Sequence, residues 1–227
     1  MGTHQIFGSD HTKELIPRLL DFGGALTALI VLSPVLACIA LVVFTVEGSP
    51  VLFRQKRVGR NGHLFEILKF RTMRSNDAAP PLLTVAGDRR ITYTGAILRK
   101  FKLDELPQLV NVLRGEMSFI GPRPEMPEYV QCQDALWRSV LEVRPGITDA
   151  ATLVFRDEEQ LLQSAADADA YYRATLLPAK LRLALRYRES RSLPRDLTLL
   201  WLTARYSLFP RNFDRERVMR ALGAETP

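Results

Sequence analysis

The sequence predicts an α+β protein, mostly helical with a small β-hairpin, behind an apolar N-terminal segment. Three observations carry this. From Phe22 to Val46 the chain runs 25 residues without a charge, longer than an ordinary core helix and long enough to meet a bilayer. Val51–Val58 and His63–Phe70 read as strands on either side of Asn61-Gly62, a strong hairpin turn signal. From residue 158 onward, apolar and basic residues recur at helical spacing, punctuated by Pro178 and by Ser192-Leu193-Pro194.

The uncharged run comes first. A signal peptide has a shorter apolar core followed by a small-residue cleavage site, whereas here Glu47-Gly48-Ser49-Pro50 forms a turn leading into a strand. Basic residues flank both ends: Lys13 and Arg18 before it, and Arg54, Lys56, Arg57 and Arg60 after it. Cytoplasmic flanks collect Lys and Arg. A spanning helix satisfies that rule on one side and a re-entrant hairpin on both. Ser33-Pro34 lies near the middle of the run. Proline removes a backbone donor and kinks a helix, and the Ser33 hydroxyl is placed to satisfy a freed carbonyl. These residues leave two forms open, a helix-break-helix that enters and leaves by one face and a simple span with a tolerated proline.

In the hairpin, Lys69, Arg71 and Arg74 close the second strand, either as a solvated edge or as a cluster facing an anion. Ser75–Thr84 is loop-like by its Pro, Asn and Asp content. Gly95–Lys102 has helical spacing and carries Arg99. Then come two adjacent acids, Asp104 and Glu105, shortly before Pro107. Proline favours the first turn of a helix and disfavours helical geometry just before it. The chain is therefore expected to break around Asp104–Leu106, with a new helix from Pro107 to about Arg114, ended by Gly115. Both carboxylates then sit ahead of a helix N-terminus, where the local dipole favours anions. Helix capping accounts for one acid but gives no reason for the second. Gly121-Pro122-Arg123-Pro124 holds an arginine in a restricted turn, suited to presenting a guanidinium fork to phosphate. Arg144-Pro145-Gly146 is a further turn, with Arg156 beyond it.

In the C-terminal third, residues 158–177 read as one helix and Ala179–Arg188 as an amphipathic one. Leu197–Phe209 places Trp201, Tyr206 and Phe209 beside Arg205 and Arg211, a composition that suits a helix lying in the headgroup plane.

Composition narrows the partners. The chain has 227 residues, 47% of them apolar, enough for one domain or one domain with appendages. A net charge of +6 and a pI of about 9.6 favour an anionic partner, whether nucleic acid, phosphorylated ligand or acidic lipid. Two cysteines, Cys38 inside the uncharged run and Cys132, argue against a disulfide framework. The three histidines lack metal-ligand spacing. A nucleic-acid binder would concentrate its positive charge on one helix or stripe; here it is dispersed, so no nucleic-acid partner is expected.

Five motifs in order resemble those of one known family: Lys69-Phe70-Arg71-Thr72-Met73; Asp88-x-Arg90-Ile91-Thr92-x-x-Gly95; Asp104-Glu105-Leu106-Pro107-Gln108; Asn111-Val112-Leu113-x-Gly115-Glu116-Met117-Ser118; and Gly121-Pro122-Arg123-Pro124. The chain is similar to the bacterial sugar transferases, the monotopic phosphoglycosyl transferases that act on polyprenyl phosphate, in their minimal catalytic form. The resemblance implies transfer of a sugar-1-phosphate from a UDP-sugar to undecaprenyl phosphate, with release of UMP, through a covalent phosphosugar–aspartate intermediate and with Mg²⁺, as the first membrane step of a bacterial glycan pathway. It implies Asp104 as nucleophile and Glu105 as the metal-linked carboxylate. Lys69, Arg99, Arg123 and Arg156 match family positions that line the phosphate site. Ser33 and Pro34 match the break of a re-entrant helix, and Asp196 resembles a family acid of unassigned role. The implied organisation is a membrane-associated region over residues 1–48 and a cytoplasmic catalytic domain over 49–227 with C-terminal interfacial helices, at the bacterial inner membrane and in contact with its lipids. The oligomeric state stays open, a homodimer included. A non-catalytic membrane scaffold and a lipid-dependent glycosyltransferase releasing UDP are the competing readings. One departure from the pattern is Asp149–Leu153, where many members carry a Gly-Trp-Ala-Gln type sequence; it bears on sugar preference.

Overall fold

The computed structural model describes residues 11–74 and 82–222, with side chains from residue 18 onward. The loop expected over Ser75–Thr84 therefore falls, for residues 75–81, outside the described residues. The chain opens with one long helix, α1 (His11–Glu47), of which Arg18–Glu47 is long and apolar enough to cross a membrane. The hairpin follows: β1 (Leu52–Val58) pairs antiparallel with β2 (Leu64–Phe70), in a register that sets Leu52 opposite Phe70 and Val58 opposite Leu64. Asn61 and Gly62 turn the corner with φ of +56° and +79°, the positive φ that an Asn-Gly corner favours.

Helix α2 (Tyr93–Lys100) is capped by the Thr92 hydroxyl, which accepts the Gly95 N–H at 3.0 Å. A single 3₁₀ turn, Leu103–Glu105, leads through Pro107 into α3 (Gln108–Arg114), and Gly115 stops α3 at φ +83°. Both boundaries fall where Pro107 and Gly115 place them.

The strand pair that follows was not anticipated. β3 (Ser118–Ile120) runs parallel to β4 (Gly146–Thr148), joined by a crossover that contains α4 (Ala135–Leu141). Two segments expected only as turns, Gly121–Pro124 and Arg144–Gly146, thus lie side by side: Gly146 N–H donates to the Pro122 carbonyl at 3.0 Å, and Gly121 N–H to the Thr148 carbonyl at 3.1 Å. Three-residue strands show too little periodicity to be read in advance.

The remainder is helical: α5 (Ala150–Val154), α6 (Glu158–Ser164), α7 (Ala168–Tyr171), a π-helical turn over Tyr172–Leu176, α8 (Leu177–Glu189), α9 (Leu193–Leu208) and α10 (Arg215–Leu222). The single helix expected over 158–177 is interrupted: the Asp167 carboxylate accepts the Ala170 N–H at 3.0 Å and starts a new helix. Pro178 does not break the chain as expected; it lies in the first turn of α8, directly after the π-turn.

The main core lies among these helices and includes Trp137, Tyr172, Leu199, Tyr206 and Val218. Two smaller clusters fasten α1 to the rest. Ala25, flanked by Ala28, Leu29 and Leu32, joins Ile67, Leu109, Val112 and Met117; further along, Val43 joins Phe70 and Leu98. Polar contacts pin both ends. Arg18 donates to the Val112 and Leu113 carbonyls at 2.6 and 2.8 Å, and Arg71 donates to the carbonyls of Glu47, Gly48 and Ser49. Between these attachments α1 exposes Leu19, Leu20, Ile30, Val31, Leu41, Phe44 and Val46. The helix is continuous through Ser33-Pro34 rather than divided into two elements. Pro34 nevertheless leaves the Ile30 carbonyl without its helical donor, and the Ser33 hydroxyl fills that place at 2.8 Å.

A Cβ on Gly146 would lie 2.1 Å from the Gly121 nitrogen, so the β3–β4 pair closes only without a side chain there. Gly146→Ala is expected to cost about 3 kcal/mol or more and to lower the thermal midpoint of the detergent-solubilised chain, followed by circular dichroism. An unchanged midpoint would contradict this close approach.

Candidate active site

The site is assembled by a few fixed points. Lys102 takes a left-handed conformation, φ +57°, which turns the chain sharply into Leu103–Glu105. Asn111, fully buried on α3, then locks this region to the hairpin: its Oδ1 accepts the Leu68 N–H at 3.1 Å and its Nδ2 donates to the Glu66 carbonyl at 2.7 Å. The next strand residue is Lys69, whose ammonium reaches Glu105 Oε1 at 2.9 Å. Arg123 meets the same carboxylate with both terminal nitrogens, at 2.6 Å to Oε1 and 3.2 Å to Oε2.

The two neighbouring acids are thereby pushed in opposite directions. Burial opposes ionisation of Glu105, but Arg123 and Lys69 outweigh it and hold this carboxyl well below the usual range. Burial raises Asp104, and the adjacent Glu105 charge raises it further. Asp104 Oδ1 is buried without a hydrogen bond among the described residues. Environments that drive paired acids apart assign them different roles. Lys69 is lowered to about 8, first by burial and against the pull of Glu105.

Arg123 is held from both sides. The β3–β4 pairing fixes the chain at Gly121-Pro122. On the other side Arg57 donates to the Pro124 carbonyl at 3.1 Å, and Val58 N–H donates to the Glu125 carbonyl at 2.9 Å. Behind the turn lies a second buried ionic cluster. Glu125 Oε1 accepts from Tyr172 OH at 2.7 Å and from the Lys180 ammonium at 3.3 Å, and Lys180 also donates to Glu158 Oε2 at 3.0 Å.

The residues expected from the sequence do not all converge. Asp104, Glu105, Lys69 and Arg123 come together. Arg99 contributes positive charge toward Asp104, while its guanidinium is bonded to Glu159. Arg156 donates to the Lys100 carbonyl at 3.4 Å and lies over the Phe213 ring. Arg71 is engaged with the C-terminal carbonyls of α1 rather than with the acids. Asp196 accepts from Tyr187 OH at 2.9 Å and from Arg191 Nε at 2.8 Å, which clips the start of α9 to the end of α8. In the departing segment, Ala150, Ala151 and Leu153 are core, and Asp149 caps α5 by accepting the Thr152 N–H at 2.6 Å. Sequence reasoning missed Glu125 and Lys180; it held Asn111 and Gln108 only as motif members without a role, and the fully buried Gln108 amide has neither its donor nor its acceptor paired among the described residues.

No group of three or more His, Cys, Asp or Glu side chains that could hold an ion occurs among the described residues. The buried oxygens without partners, Asp104 Oδ1 and Gln108 Oε1, lie on either side of Glu105 in the chain. One or two carboxylates completed by substrate phosphates is how Mg²⁺ is held.

An ionic fork and two differently tuned acids thus lie in the same chain as an exposed apolar helix long enough to cross a membrane. The family model described as bacterial sugar transferase matches residues 12–210, and the chain belongs to that family. Among its relatives, the exopolysaccharide production protein ExoY of Sinorhizobium fredii is 39% identical over 147 residues, covering 58% of this chain and 65% of the relative. The UDP-glucose:undecaprenyl-phosphate glucose-1-phosphate transferase of Caulobacter vibrioides is 39% identical over 142 residues, covering 61% and 53%. The Escherichia coli protein of the same name is 40% identical over 150 residues, covering 62% and 31%. The match thus spans between about a third and two thirds of these relatives' own lengths.

Lys180→Met would leave the buried Glu125 with only Arg57, at 3.8 Å, as a cation and the half-buried Glu158 without its lysine, a loss expected to cost about 3 kcal/mol. Denaturant unfolding of the solubilised chain measures this. Lys180→Arg, which keeps the charge, should retain more of the stability; equal losses in both variants would show that shape and not charge matters at this position.

Proposed function

We propose that this chain transfers a sugar-1-phosphate from a UDP-sugar to undecaprenyl phosphate and releases UMP. The observation that carries the reading is the split between two adjacent acids, Glu105 locked in an ionic fork and Asp104 buried beside it with an oxygen unpaired. The relatives' printed names, two of them UDP-glucose:undecaprenyl-phosphate glucose-1-phosphate transferases, support the substrate classes.

Asp104 acts as the nucleophile. Its ionised oxygen attacks the phosphorus next to the sugar; an O–P bond forms and the bond to the bridging oxygen breaks, with that electron pair leaving on UMP. The lipid phosphate then attacks the same phosphorus and returns the Asp104 carboxylate. Dividing the transfer in this way lets two bulky substrates use one site in turn. A raised carboxyl is a better nucleophile once ionised, and Lys69 and Arg123 provide the positive field in which a pyrophosphate approaches it. Arg123 presents a two-pronged donor matched to phosphate oxygens as well as to Glu105. Mg²⁺ would supply charge neutralisation of the pyrophosphate when bound, with Glu105 as the residue that would hold it.

The geometry of α1 supports a re-entrant helix on the cytoplasmic face of the inner membrane. Arg18 and Asp21 at one end, and the carbonyls gripped by Arg71 at the other, are bonded to the rest of the chain, an arrangement that suits a helix whose two ends return to one face. On α9, the exposed Leu193, Leu197, Trp201 and Leu208, with Arg205 stacked on Trp201, suit an interfacial position.

Asp104→Asn is expected to lower UMP release from UDP-sugars, assayed with undecaprenyl phosphate and Mg²⁺, by roughly three orders of magnitude or more. Full activity in that variant would remove Asp104 from the chemistry, and UDP as the sole nucleotide product would refute phosphosugar transfer. A second expectation concerns pH. With Lys69 lowered to about 8, its charge is present below that pH and lost above it. The value of kcat/KM should therefore fall as pH rises through about 8, and Lys69→Arg should remove that limb because arginine stays charged. A limb that persists in Lys69→Arg would assign it to another group.

A further inference from the structure

A cavity of about 180 Å³ opens between α1, the β3–β4 pair and the C-terminal end of α8. Five guanidinium groups line it: Arg18, Arg60, Arg144, Arg188 and Arg191. Two carboxyls share the wall, and each is tied to backbone: Asp21 accepts the Phe119 N–H at 3.2 Å and Asp149 the Thr152 N–H at 2.6 Å. Arg18 and Arg188 use both terminal nitrogens on protein oxygens. Arg144 and Arg191 use only Nε, on the Gly115 carbonyl and on Asp196, and their terminal nitrogens make no hydrogen bond with the described residues. Glu142 and Asp196 pair with Arg188 and Arg191, so the wall keeps a small excess of positive charge, which favours anions, and free guanidinium edges match phosphate oxygens.

The position of the cavity selects which phosphate. Arg18 begins the apolar stretch that could cross a membrane and is followed at once by exposed Leu19 and Leu20, with Phe22 close behind; Arg191 lies two residues before exposed Leu193 on α9. The basic wall therefore meets apolar surface on two sides, as a headgroup meets its acyl chains. Gly121 and Pro122 of the wall directly precede Arg123, but the two acids do not line the cavity. Asp104 and Glu105 precede the N-terminal end of α3, whereas Arg18 and Arg144 bind carbonyls at its C-terminal end and just beyond; seven residues separate the two ends by roughly 10 Å.

We propose that this cavity binds the phosphate headgroup of an anionic membrane phospholipid, at a site separate from the reaction centre. The inference rests on reading α1 as embedded in a membrane. The bound lipid would bridge α1 to α8, with its phosphate between Arg144 and Arg191 and its acyl chains along the exposed residues of α1 and α9.

The test titrates the full chain, in neutral detergent, with dioctanoyl phosphatidylglycerol and with dioctanoyl phosphatidylcholine, read by calorimetry. The glycerol lipid is expected to bind roughly tenfold more tightly, and Arg191→Gln, alone or with Arg144→Gln, to erase most of that preference. Circular dichroism of both variants checks that they are folded; the single variant leaves the Gly115 contact intact. Equal affinity for the two lipids, or a preference unchanged in the folded variants, overturns the proposal. So does displacement of phosphatidylglycerol by UDP, inorganic phosphate or a short-chain prenyl phosphate at equal concentration, which would assign the cavity to a substrate or a soluble anion. The readout does not depend on UMP release, and flotation on pure phosphatidylcholine vesicles tests the membrane reading independently, so failure of either reading is distinguishable from failure of this one.

Discussion

The Glu105 carboxylate, shared between Lys69 and Arg123, is the contact on which the rest of the site depends. It draws together three segments distant in sequence: the end of β2, the turn ahead of α3, and the Pro122-Arg123-Pro124 turn. As a source of stability such a buried cluster is weak, since removing three charges from water offsets much of their attraction. Its value lies in what it forbids. With Arg123 and Lys69 committed to Glu105, no other carboxyl in the cluster has an equal claim on them. Asp104 is left buried with one oxygen unpaired among the described residues, and the difference between the two acids follows from one set of contacts.

That arrangement needs a rigid backing, and the second ionic cluster supplies it. Glu125 directly follows the Pro-Arg-Pro turn, and its carboxylate is fixed by Tyr172 and Lys180 from the C-terminal helices. Arg57, from the hairpin, bonds the Pro124 carbonyl and lies 3.8 Å from Glu125. The arginine of the site is thus one of the two cations that flank Glu105, and its turn is backed by a cluster of opposite construction, a lysine between two carboxylates. Burial opposes the charge on Lys180, yet Glu125 prevails and raises it, so this cation remains in place at any pH at which the site works.

Much of this was legible in the sequence where local chemistry decides. Asn61-Gly62 locates the hairpin, and Pro107 and Gly115 bound α3, because each acts through its own backbone. The two acids and Arg123 stand out because they lie next to such boundaries, while Lys69 and the roles of all four rest on the resemblance to family motifs. What could not be read depends on partners brought from elsewhere. Arg71 and Lys69 are alike in the sequence, two residues apart at a strand end, yet one meets a carboxylate and the other a helix terminus. Lys180 sits in a segment patterned as an amphipathic helix with basic residues outward, and it is buried because Glu125 and Glu158 lie opposite. Asn111 looks like any polar residue on a short helix until β2 is placed against it. The β3–β4 pair is hidden for a different reason, since its strands are three residues long and only the absence of side chains on Gly121 and Gly146 permits it.

The hairpin also joins the membrane segment to the chemistry through three consecutive residues. Lys69 bonds Glu105, Phe70 packs in the cluster that contains Val43 of α1 and Leu98 of α2, and Arg71 holds the carbonyls at the end of α1. A strand advances about 3.3 Å per residue, so the reacting acids and the end of the apolar helix are tied within a few residues of extended chain. At the opposite end of α1, Arg18 grips the last carbonyls of α3, the helix whose first turn follows the acids. If α1 lies in a bilayer as proposed, its depth would set the height of the acids above it through these two short, hydrogen-bonded links. A lipid acceptor whose phosphate is confined to the headgroup layer would then meet the carboxylates only at one such height.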